Sequence, residues 1–379
     1  MRIVLFDFFF EPGQPGRSGL SDLVWSWAEH LVTLGDEVHI VAPYPEHSQL
    51  PAGVLVHRFP VPPIGYRNIL GHVLIALRGW QEVRRIARPA VVHAPEYLST
   101  GVFSFLPATW PLVLTTPGNI FERINNVNHA DWITTQVYKA AALASARRCA
   151  CIIATSAEMA KWWQFSGADP SKIVQIPLGV DTSRFDRVPR AKAQLGWTRP
   201  AVLFAGRLQA ENGAANVIRA MALVAKRVPN AMLHMVGAGP DEPMLRRLAA
   251  SLGLSAMIQW HGRVPLSDLP AMYSAADVFV LPRLSRVTPR ALLEAMACGS
   301  PVVTSALGGM AEFVEDGRTG WAVDPRSPTV IADRVVDVLE NPGLTASIGA
   351  AARCFVRDEL AWPVIVGRVR NEVYGRLVR

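Results

Sequence analysis

Short continuous apolar runs alternate along the chain with longer stretches of helical periodicity. Val278-Phe279-Val280-Leu281 is the clearest run. A strand buried on both faces of a parallel sheet needs side chains of this kind at every position. Pro282 ends it. After a polar loop, Thr288-Pro289 reads as a helix start, since a threonine hydroxyl can accept an orphan N–H and proline fits the first helical position. The helix is expected from Arg290 to about Cys298. Gly299 lies just past its end, and Pro301–Thr304 is the next strand.

The same alternation predicts strands at residues 2–7, 37–41, 90–94, 111–115, 150–154, 201–205, 231–236 and 258–264. Helices are expected from Leu20 to about Leu34, from Asn68 to Arg88, from Asp131 to Ala150, around Arg246-Arg247 and from about Ser327. A glycine-rich loop, residues 11–19, follows the first strand, and residues 312–320 read as a hairpin-like turn region. Lys172–Asp181 closes the first half, with Thr182–Arg190 as a polar linker where a domain cleft should open. Strands alternating with helices make an α/β chain of βαβ units.

At 379 residues the chain is too long for one typical domain, and two doubly wound parallel-sheet halves suit it. The divisions expected are residues 1–180, residues 181–359, and a last helix over 360–379 that contains Trp362. No apolar run approaches the roughly 18 residues that cross a bilayer, and MRIVLFDFFF enters a strand without a cleavable signal pattern. The expected setting is cytoplasmic. Cys149, Cys151, Cys298 and Cys354 lack metal-ligand spacing and read as reduced core thiols. A net charge of +7 favours anionic partners, and nothing resembles a nucleic-acid module. In 68–88, Arg78, Arg84, Arg85 and Arg88 gather toward the end. This is either a packed helix with a solvated basic face or an interfacial helix on the inner face of the plasma membrane, with Trp80 near anionic headgroups.

A helix N-terminus after the carboxyl end of a parallel strand presents converging N–H groups and a positive dipole, which suit a phosphate. Glu294, one turn in, could accept two ribose hydroxyls, because open α/β sheets bind ligands at this edge. An ordinary βαβ unit with a solvated Glu294 would read the same way.

The stretch Glu294-Ala295-Met296-Ala297-Cys298-Gly299-Ser300-Pro301-Val302-Val303, followed by Gly308-Gly309 and Glu312, resembles the donor-site signature of family 4 glycosyltransferases, in the GT-B class of two Rossmann-like domains facing a cleft. The resemblance covers almost the whole chain. It implies transfer of a sugar, with retention and without a metal or other cofactor, from a nucleotide-diphosphate sugar to a hydroxyl acceptor such as a glycan, a lipid-linked glycan or a small natural product. The second domain would hold the donor and the first the acceptor. By the same resemblance Arg207, after Gly206, steadies the diphosphate, Glu294 the ribose, and the N–H groups near Arg290 and Ala291 the phosphate. Gly239, Arg263 and Val264 border the nucleotide, and Ser18-Gly19 corresponds to a pair of glycines facing the reacting sugar.

Three positions depart from the family pattern. Pro117, in Thr115-Thr116-Pro117-Gly118, stands where the family has a histidine, so that role is either lost or moved to neighbours such as Asn119, Glu122 or His129. Asn212 replaces a lysine, and Arg286 replaces a glutamate. Arg286 or Arg290 could restore the positive charge lost at Asn212. The alternative is a catalytically silent GT-B protein acting as partner or regulator of another glycosyltransferase, and an epimerase or phosphorylase on the same architecture is a third reading. His93, in an apolar run, reads as a core histidine.

Overall fold

The computed structural model describes residues 1–7, 19–43, 52–60, 69–107, 109–116 and 132–378. The chain separates into two compact units, Met1–Gly179 together with Trp362–Arg379, and Val180–Ala361.

The first unit is built on seven parallel strands: β1 (Arg2–Phe6), β2 (Glu37–Pro43), β3 (Val54–Phe59), β4 (Val91–Ala94), β5 (Leu112–Thr116), β6 (Cys151–Ala154) and β7 (Ile173–Gln175), ordered β3-β2-β1-β4-β5-β6-β7. Helices α1 (Gly19–Thr33), α2 (Ile69–Arg85), α3 (Tyr97–Ser104), α4 (Trp132–Arg148) and α5 (Ala157–Phe165) connect them. Alternation along β1 sends Val4 and Phe6 into a core shared with Ile75 and Val83 of α2, Phe103 of α3, Ala142 of α4 and Trp163 of α5. At Gly79 a β-carbon would stand 2.1 Å from the Phe6 ring, so glycine lets α2 lie directly on the sheet. Trp80 packs against this core with Arg84 4.8 Å from its ring centre. It is therefore occupied by the fold, which corrects the expectation of an indole among headgroups. Arg84, Arg85 and Arg88 remain exposed.

The opposite face carries α1 and the Trp362–Arg368 helix. His93 is fully buried there: Nδ1 lies 2.6 Å from the Tyr374 hydroxyl and Nε2 2.8 Å from Thr115 Oγ1. Burial pulls its pKa down to about 3, as for a satisfied core histidine. Glu96 caps α3 by accepting the N–H groups of Leu98 (2.7 Å) and Ser99 (2.5 Å), while burial pushes its pKa up to about 7.

The second unit contains β8 (Ala201–Ala205), β9 (Met232–Val236), β10 (Ile258–Gly262), β11 (Val278–Leu281), β12 (Val302–Ser305) and β13 (Trp321–Val323), all parallel, in the order β10-β9-β8-β11-β12-β13. The helices are α6 (Ala191–Gln194), α7 (Ala214–Arg227), α8 (Glu242–Ser251), α9 (Leu269–Ala275), α10 (Arg290–Ala297), α11 (Pro328–Glu340) and α12 (Pro342–Phe355). Gly299 adopts φ +74° past α10, as its position suggested.

Several elements differ from the sequence reading. β3 escaped it because an edge strand with exposed Leu55 and Arg58 lacks a continuous apolar run. The region 312–320 leads into β13, a sixth parallel strand, and is not a hairpin. Within the polar linker 182–190, Asp181 accepts from the N–H groups of Ser183 and Arg184, each at 3.1 Å, and Phe185 is buried. Cys149, Cys151 and Cys298 are buried thiols, the last two held up at about 12 by burial, but Cys354 is exposed on α12. Among the described residues no helix is long and apolar enough to cross a membrane.

Candidate functional site

All six strands of the second unit run the same way, so their carboxyl ends meet at one edge. The order turns back between β8 and β11, and an open sheet of this kind forms its crevice at such a point. The turns there are laced by backbone hydrogen bonds. Gly206 N–H donates to the Val236 carbonyl (3.0 Å), Leu208 to Ala238 (3.1 Å) and Gly237 to Gly262 (2.7 Å), joining the turns after β8, β9 and β10. Leu284 N–H donates to Glu211 (2.7 Å) and Gly309 to Arg286 (3.2 Å), drawing in the turns after β11 and β12.

Side chains are excluded where these turns meet. Gly237 has φ +124°, and a β-carbon on it would stand 1.9 Å from the Gly206 carbonyl oxygen. At Gly213 a β-carbon would stand 2.0 Å from the Pro282 carbonyl oxygen, bringing the start of α7 against the end of β11. The floor between β8 and β11 is thus bare backbone, able to approach a ligand closely.

Charge borders this floor. Gly206, Gly239 and Val264 are partly exposed beside it, and Arg207, Arg263 and Arg286 are exposed in the turns after β8, β10 and β11. Asn212 is buried, and its amide nitrogen donates to the Arg207 carbonyl at 2.6 Å. This hydrogen bond lies inside the turn. Arg283 pairs with Glu211 at 3.1 Å and reaches Ser285 Oγ at 3.0 Å, fixing the loop after β11 to that after β8.

The cap of the helix also differs from the expectation. Pro289, at φ −78° and ψ 138°, is the cap of α10, without a side-chain cap bond. Thr288 Oγ1 is buried and has no hydrogen-bond partner. The helix begins at Arg290, as expected, but the extended ψ of Pro289 makes proline the cap and takes Thr288 out of capping reach. The opening N–H groups around Arg290 and Ala291 therefore lack a side-chain cap.

Glu294 is buried rather than solvated. The Tyr273 hydroxyl donates to Oε2 at 3.3 Å, and Arg290 Nε stands 4.0 Å from Oε1. Burial, with the Glu294 charge beside it, holds the Tyr273 phenol well above its usual pKa and keeps it a donor. Tyr273 was missed because it lies on the preceding helix, 21 residues away, with no local pattern tying it to Glu294. Among the described residues no group of three or more His, Cys, Asp or Glu side chains could hold a metal ion.

The structure thus brings Gly206, Arg207, Asn212, Gly239, Arg263, Val264, Arg286, Arg290, Ala291 and Glu294 to one edge. In the first unit Gly19 opens α1. Ser18, Pro117, Gly118, Asn119, Glu122 and His129 lie outside the described residues.

The chain resembles solved two-domain structures over nearly its full length. Sucrose-phosphate synthase from Thermosynechococcus elongatus superimposes with TM-score 0.83 at 22% identity over 99% of each chain. Anabaena Alr3699/HepE in complex with UDP gives 0.78 at 20% identity, over 99% of this chain and 100% of that one. Among curated relatives, a GDP-mannose-dependent alpha-(1-6)-phosphatidylinositol monomannoside mannosyltransferase of Mycolicibacterium smegmatis is 35% identical over 224 residues, 56% of this chain and 59% of that protein. The match thus spans little more than half of that relative. A D-inositol 3-phosphate glycosyltransferase of Streptomyces coelicolor is 27% identical over 90% of this chain and 84% of its own length. The family described as Glycosyltransferase Family 4 matches residues 17–184, and Glycosyl transferases group 1 matches 188–355. With both halves of the chain matched and the two parallel-sheet units in place, this chain belongs to glycosyltransferase family 4, with the GT-B fold.

Proposed function

We propose that the chain is a hexosyltransferase that moves a sugar, with retention and without a metal, from a nucleotide-diphosphate sugar to a hydroxyl acceptor. The observation that carries this reading is the bare-backbone floor between β8 and β11, bordered by Arg207, Arg263 and Arg286 and by the uncapped start of α10. Such an edge suits a diphosphate. Arg207 would bind it, joined by Arg286 or Arg290, and the N–H groups near Arg290 and Ala291 would add a dipole. Glu294 would take the ribose hydroxyls, with Tyr273 holding its carboxylate in place. As the anomeric C–O bond breaks, the nucleoside diphosphate leaves with the bonding pair, the acceptor hydroxyl oxygen bonds the anomeric carbon on the same face, and its proton passes to the leaving phosphate oxygen. Cations around the leaving diphosphate stabilise that charge.

The acceptor would be held by the first unit, near Gly19 at the start of α1. The names of the relatives support an inositol-bearing or lipid-linked acceptor. Exposed Arg84, Arg85 and Arg88 give the end of α2 a charge suited to anionic lipid.

Calorimetry with UDP, GDP and ADP on wild type, Arg207→Ala and Glu294→Ala tests the donor assignment, followed by hydrolysis assays on the matching sugar donors. Micromolar binding lost in both variants, with slow donor hydrolysis, is expected. Failure of every nucleotide to bind would sink it.

A further inference from the structure

A second concentration of positive charge lies at the other edge of the same sheet. The segment before β8 folds beside the ends of α9 and α12 and borders a cavity of about 600 Å³, lined by Arg187, Arg190, Lys192, Ser274 and Arg353. Ser274 lies just before β11, and Gly299, over which two of these side chains cross, lies just before β12. Both positions mark the amino edge, opposite the floor described above.

Four cations meet there with two carboxylates to balance them. Lys192 Nζ pairs with Asp277 at 2.5 Å, and Asp277 is also held by the Ala201 N–H at 2.7 Å. Arg353 pairs with Asp186 at 2.6 Å. Among the described residues Arg187 and Arg190 enter no ion pair. The crowding is close: a β-carbon on Gly299 would lie 3.8 Å from Arg353 Cδ and 4.0 Å from Arg187 Cδ, so both stems cross the same glycine. Arg190 has φ +56°, a costly conformation outside glycine, and is held at this corner by Gln194, whose N–H donates to the Arg190 carbonyl at 3.0 Å. Like charges gathered in a concave wall repel one another and raise the local potential for an anion. Guanidinium forks match phosphate oxygens two at a time. The volume falls within the roughly 300–1,000 Å³ of small-molecule sites, larger than a bare phosphate needs.

We propose that this cavity binds a phosphate-bearing anion of about the size of a phosphorylated sugar, through Arg187 and Arg190 with Lys192 and Arg353 behind them. The phosphate can belong to a free metabolite or to a lipid headgroup. The site is separate from the carboxyl-edge floor and does not depend on what that floor binds.

The test is calorimetry of inorganic pyrophosphate and of glucose 1-phosphate on the full chain, with and without saturating UDP or GDP, alongside co-sedimentation with phosphatidylglycerol vesicles. Variants are Arg187→Ala/Arg190→Ala, Arg187→Lys/Arg190→Lys and Arg207→Ala, each checked for native circular dichroism. The alanine pair should weaken binding by on the order of tenfold or more, and the lysine pair, keeping charge but losing the fork, by less. Arg207→Ala should leave it intact, and added nucleotide should not compete. Loss confined to glucose 1-phosphate identifies a metabolite; loss confined to vesicles identifies a headgroup. Affinity unchanged in the alanine pair, competition by nucleotide, or no binding of any probe at millimolar concentration overturns the proposal. Should the alanine pair fail to fold, an unchanged affinity in the lysine pair overturns it equally.

Discussion

The side-chain amide of Asn212 is bound to the main-chain carbonyl of Arg207, 2.6 Å away, inside the turn that follows β8. A position where related sequences are expected to carry a cation here holds its own loop together. Asn212→Asp removes the donor and places a carboxylate beside the expected diphosphate. Nucleotide affinity should fall about tenfold or more, whereas Asn212→Ala should chiefly lower stability, by about 1 kcal/mol. Calorimetry and thermal unfolding separate the two effects.

Gly237→Ala should be among the most damaging small substitutions in the second unit. Its β-carbon would overlap the Gly206 carbonyl oxygen, and φ +124° is strained for any other residue. A loss of about 2 kcal/mol or more is expected in urea unfolding. Gly343→Ala, with open space around its β-carbon, is the control and should change little.

If Glu294 binds ribose, wild type should discriminate strongly against 2′-deoxy and 3′-deoxy nucleotides, and Glu294→Ala should bind ribo and deoxy forms alike. Tyr273→Phe keeps the carboxylate and loses one hydrogen bond to it, so discrimination should persist with affinity reduced by about 1 kcal/mol. A Tyr273→Phe variant with no ribose discrimination would mean that the phenol, not the carboxylate, reads the sugar.

Stability should fall in acid through His93. Its folded pKa is about 3, against an ordinary histidine value near 6.5, so between those limits the unfolded chain binds the extra proton. Stability is therefore lost as pH drops from about 6.5 toward 3, at up to about 1.4 kcal/mol per pH unit. Glu96, raised to about 7 by burial, acts oppositely above its unfolded value, since the native state holds that proton. Comparing His93→Gln with wild type removes the Glu96 contribution: the variant's acid slope should be shallower, measured by urea unfolding across this range.

Arg84→Glu/Arg85→Glu/Arg88→Glu should weaken co-sedimentation with anionic vesicles and leave nucleotide affinity unchanged. Wild-type binding should weaken with salt, because exposed cations act through a screened potential. Binding that survives the triple substitution would locate any lipid contact elsewhere.

Strands covered on both faces were readable in the sequence because burial demands apolar residues at every position, as in β8 and β11. Two edge strands were not, although β10 at the other edge of the second sheet was: β3 alternates with exposed positions, and β13 is three residues long. The site's main residues were legible as positions after strands. Their partners were not, because Tyr273 with Glu294, Arg283 with Glu211 and Gly213 with Pro282 are brought together by the sheet order. Thr288 shows the limit of local rules. Its sequence fits a cap, yet the loop after β11 places Pro289 in that role.

The Tyr374 hydroxyl that satisfies His93 belongs to the residues after Ala361, while the rest of the first unit is complete by Gly179. During synthesis the ribosome must therefore make the whole of the second unit before it releases the piece that finishes the first. Until then the nascent first unit carries a buried imidazole without its phenol. The second unit, continuous in sequence, is therefore fully translated before the last residues of the first.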